Sequence, residues 1–85
     1  MILPDRVTAD WIATLEPGEL TAAETLLHTE FVVAENREKA RSGERYALLQ
    51  GPATLVNAWL RWQLVSNEAR SRGLVIRHHT GAAAR

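Results

Sequence analysis

The segment from Pro52 to Arg72 constrains this chain most, because it carries apolar residues on two opposite faces of what its spacing predicts to be one helix. Leu55, Ala58, Trp59, Trp62, Val65 and Ala69 recur three and four residues apart and share one face. Ala53, Val56, Leu60 and Leu64 share another, nearly opposite, with Arg61, Glu68, Arg70 and Arg72 in the strips between. At 1.5 Å per residue such a helix is about 31 Å long. A neighbouring helix can shelter only one of its faces. Burying a Val or Leu contributes about 1.5–3 kcal/mol, so the Val56/Leu60/Leu64 stripe is worth roughly 5–8 kcal/mol, which rivals the whole stability of a small domain. The stripe therefore calls for a cover. That cover is a short N-terminal helix, the same face of another copy, or each in part.

Two further helices can be read. Thr8 is placed to cap a short one over Ala9–Leu15, with Asp10 in its first turn and Trp11, Ile12 and Leu15 on one side. Glu16-Pro17-Gly18 reads as the turn that ends it. Thr21-Ala22-Ala23-Glu24 has the form of a capping box and opens a second helix that runs to about Ala40. Its stripe is Leu20, Ala23, Leu27, Phe31 and Ala34, with Leu26 and Val33 beside it. From Glu35 the apolar pattern gives way to a solvated extension that ends near Ser42-Gly43. Arg45–Gln50 is open between a short strand and more helix. Gly51-Pro52 starts the third helix, and Gly73 caps its end. Leu74-Val75-Ile76-Arg77 reads as a short strand, a candidate partner for Tyr46–Leu49. The expected fold is mainly α: two long antiparallel helices plus a short N-terminal helix, with a small two-stranded β element left open. Residues 1–78 form a single helical domain and residues 79–85 a flexible tail.

Eighty-five residues without a cysteine leave neither disulfides nor thiolate metal sites to support a small core. Good helix packing or oligomerisation must supply the stability instead. No run of residues is apolar enough to span a membrane, and the first residues lack the pattern of a signal peptide, so a cytoplasmic location is expected. The net charge of zero conceals a split. Residues 1–36 carry seven acids and one base, net −6, and residues 37–85 carry nine bases and three acids, net +6. Such a dipole suits two halves that neutralise one another, or a basic C-terminal surface for nucleic acid.

The usual catalytic signatures are missing: there is no glycine-rich phosphate loop, no GxSxG elbow and no HExxH pair. No catalytic residue, metal site or cofactor is therefore assigned. Glu24, His28 and Glu35 can share a helix face, but a Glu–His pair on a solvated helix explains them more simply than a metal. His28→Ala should accordingly leave binding intact. Trp59 and Trp62 sit on the core face and read as core rather than as base-stacking platforms. Arg61, Arg70, Arg72 and Arg77 are the candidate nucleic-acid contacts, since the guanidinium fork suits phosphate. The competing role for them is pairing with Glu24, Glu30 or Glu35 across the hairpin.

The order of features from Leu20 to Arg77 resembles phage terminase small subunits. Leu20-Thr21 opens a helix, a polar stretch ends in Ser42-Gly43, and a linker leads to Gly51-Pro52 and a helix containing Trp59 and Arg61. Ala69-Arg70-Ser71-Arg72-Gly73-Leu74 closes it. Members of one such family continue from a similar Gly-Leu into proline and arginine; here Val75 and Ile76 precede Arg77 instead. The resemblance implies a ring-forming, non-catalytic protein that binds DNA and a larger ATPase subunit. Two functions follow as expectations. One is an oligomerising recognition module whose interface is Val56, Leu60 and Leu64 and whose basic half contacts DNA. The other is a protein–protein adaptor, a regulator or virion component, with no affinity for nucleic acid.

Overall fold

The computed structural model describes residues 3–74 and residue 76. Three helices carry the fold: α1 (Ala9–Ala13), α2 (Pro17–Ser42) and α3 (Ala53–Ser71). Two short 3-10 turns, Gly43–Arg45 and Leu48–Gln50, connect α2 to α3. Cross-links pair Glu35 with Tyr46, Glu30 with Arg61 and Leu15 with Arg72. Position falls along α2 as it rises along the rest of the chain, so α2 and α3 form an antiparallel hairpin. The fold class read from the sequence is the one observed.

The helix ends show which local signals prevailed. Thr8 caps α1 as its position suggests, accepting from the Trp11 N–H at 3.1 Å. The expected Thr21 box does not open α2, which begins four residues earlier. Glu16 is the N-cap, Pro17 takes the first helical position, and the Glu19 carboxylate accepts from the Glu16 N–H at 2.8 Å. Pro17-Gly18 is thus the first turn of α2 and not a turn before it. Thr21, already inside the helix, donates its hydroxyl to the Gly18 carbonyl at 3.0 Å. α2 ends at Ser42, where Gly43 turns away at φ +58°.

Arg45–Gln50 is no strand, and among the described residues there is none. The linker has to reverse the chain between two long helices, and tight 3-10 turns do this. Val75, Arg77 and residues 79–85 lie outside the described residues, so the second half of the supposed β pair and the tail do as well.

The core is the seam between α2 and α3, closed at one end by α1. Leu20, Ala23, Leu27 and Phe31 of α2 meet Leu55, Ala58, Trp62, Val65 and Ala69 of α3, and Ile12 and Leu15 join them. These are the stripes expected from the spacing, except that Trp59 and Ala34 are only half-buried. The end of α3 is a Schellman motif: the Gly73 N–H donates to Arg70 O and the Leu74 N–H to Ala69 O, at 3.0 and 2.9 Å.

Candidate interaction surface

The second face of α3 is only partly covered. Val56 is half-buried, whereas Leu60 and Leu64 are 45% and 44% exposed. The N-terminal segment runs beside them and leaves two adjoining hollows. One, of about 410 Å³, is bordered by Val7, Asn57, Leu60 and Leu64. The other, of about 330 Å³, is bordered by Ala9, Ile12, Leu64 and Asn67. Of the covers foreseen for this stripe, the N-terminal stretch supplies part: Val7 borders Leu60 and Leu64, and Ala9 and Ile12 of the five-residue α1 border Leu64 alone.

Arg72 fixes α1 in place. Its guanidinium donates to the Leu15 carbonyl at 2.6 Å, to the Ile12 carbonyl at 3.1 Å and to the Glu68 carboxylate at 2.8 Å. The carbonyls near the end of a helix lack partners within the helix and carry its partial negative charge, so a cation there is well matched. Arg61 bridges α3 to α2 through Glu30 at 2.6 Å, and its buried Nε has no partner among the described atoms. Arg70 is exposed and, among the described residues, bonds to Asn67 of its own helix. Arg77 lies outside the described residues. Of the four arginines singled out from the sequence, the structure thus places two in contacts within the chain and one at the surface.

Trp62 is core, as read. Its indole N–H donates to the buried Glu24 carboxylate at 2.8 Å, Phe31 stacks on it at 5.3 Å between ring centres, and His28 meets it edge-on at 4.8 Å. The third member of the Glu24/His28/Glu35 trio is engaged elsewhere: Glu35 accepts from the Tyr46 hydroxyl at 2.6 Å and pairs with Lys39 at 3.6 Å. Burial, together with the neighbouring Glu35, pushes the Tyr46 phenol well above its ordinary value. Glu38 is clasped by Arg41 at 2.7 and 3.0 Å and by the Ser42 hydroxyl, and these bonds hold its carboxyl below the ordinary range. The extension from Glu35 to Ser42 is thus largely solvated, as expected, with Asn36, Arg37, Lys39, Ala40 and Arg41 exposed, but it is internally bonded and buries Glu38. Among the described residues no three candidate ligands gather as a metal site would require.

A second apolar strip was not recognised in the sequence. Leu26 and Val33 stand 42% and 53% exposed on the side of α2 away from α3. The signal was present: Ala22, Leu26, Thr29 and Val33 follow one another at spacings of four, three and four. The adjacent core residues Leu27 and Val32 mask it, because Leu26 and Val33 then look like the margin of the core stripe. Among the described residues no helix is long and apolar enough to cross a membrane. No protein-family model, no curated protein and no solved structure matches this chain.

Proposed function

We propose that this chain is a non-catalytic helical recognition module that self-associates through the outward face of α3. The observation that carries this reading is the exposure of Leu60 and Leu64 beside a half-buried Val56, on a face α1 is too short to close. Leaving Leu60 and Leu64 so exposed forgoes nearly half of their burial free energy. A small domain without disulfides gains most by covering that face with another copy. The polar residues favour a structural use as well. Glu24, Glu30, Glu35, Arg61 and Arg72 hold the helices together and do not converge on a cleft.

The test is the solution mass by light scattering at two protein concentrations, for the natural chain and for Leu64→Asp. A mass of several chains that falls to 9.5 kDa in the variant supports the reading. A natural chain that stays at one-chain mass sinks it.

A second reading, contact with DNA by the basic half, is favoured by one observation: Arg70 is exposed, and its bond among the described residues is to Asn67 within its own turn. It is the function that the likeness to terminase small subunits implies, with a larger ATPase subunit as the further partner. Arg72 is unsuited to probing it, because its loss would release α1. Arg70→Glu is the clean variant. DNA affinity that falls with salt, and falls further in Arg70→Glu, supports contact there; unchanged affinity removes Arg70 from the surface.

A further inference from the structure

We draw no further inference here: the strongest candidate, the exposed apolar strip of Leu26 and Val33 on the side of α2 away from α3, carries nothing because nothing in the structure shows what covers it.

Discussion

The indole Nε1 of Trp62 donates to the Glu24 carboxylate at 2.8 Å in the middle of the α2–α3 seam, where each residue is only 2% exposed. An apolar stripe thus contains one acid and one donor that satisfy each other, and this couples the two helices in register as well as in distance. A buried donor without its acceptor bears the full cost of desolvation, about 1–3 kcal/mol. Glu24→Ala should destabilise the chain by about that much plus the packing lost, and Glu24→Gln, which keeps an acceptor oxygen, by clearly less. Urea denaturation of the two variants checks this. Equal losses would show that the bond to Trp62 contributes little.

The three hydrogen bonds of Arg72 give α1 its attachment. Arg72→Ala removes two donors from the Ile12 and Leu15 carbonyls and should cost about 1–3 kcal/mol, concentrated at α1. Amide exchange reads it directly: the Ile12 and Leu15 amides should lose protection while the middle of α2 keeps it. Lysine cannot present two directed donors at this spacing, so Arg72→Lys should recover little. Uniform loss of protection along the whole chain would contradict a local attachment.

Ser66 is fully buried on α3 and its hydroxyl has no partner among the described atoms. Ser66→Ala removes an unpaired polar group and substitutes a better helix former, so stability should rise by about 1 kcal/mol. Thermal or urea unfolding decides it; a loss of that size would mean that the hydroxyl is satisfied in solution.

How far the sequence could be read depended on the range over which each signal acts. The core stripes were legible because helical periodicity is local: Leu20, Ala23, Leu27 and Phe31 announce a face without reference to any partner. The start of α2 was misread because two capping signatures overlap, Glu16 to Glu19 and Thr21 to Glu24, and only tertiary structure chooses between them. Once Glu24 is required beneath Trp62, it must lie well inside the helix, and the upstream box takes the cap. The role of Arg72 was not legible, since its acceptors are backbone carbonyls 57 and 60 positions away and leave no mark on residue type. The outward face of α3 was legible as a problem, though its incomplete cover depends on α1 beginning only at Ala9, and helix ends are the least local of these features.

Gly73 follows α3 at φ +76°, in the left-handed region where a Cβ clashes with its own backbone. Gly73→Ala should cost about 1–2 kcal/mol although nothing lies within 4 Å of the added methyl, because the strain is in the backbone and not in packing. Gly73→Asn, which tolerates that region better, should cost less. If both substitutions are neutral by urea denaturation, the Schellman closure contributes nothing to stability.

The Tyr46–Glu35 bond should make the chain sensitive to alkali. The phenol of Tyr46, the sole tyrosine, titrates above its ordinary value because burial and then the Glu35 carboxylate disfavour the phenolate. The unfolded chain therefore releases this proton first, at about pH 10. The stabilising contribution is fully present below that pH and is lost as pH rises toward the higher folded value. Tyrosinate absorbance should show a native titration displaced upward from that of the urea-unfolded chain. The urea midpoint should fall between pH 9 and 11 by more than it does in Tyr46→Phe, where the titrating group is gone but the ring remains. A native titration coincident with the unfolded one would mean that the hydroxyl stands free of Glu35 in solution.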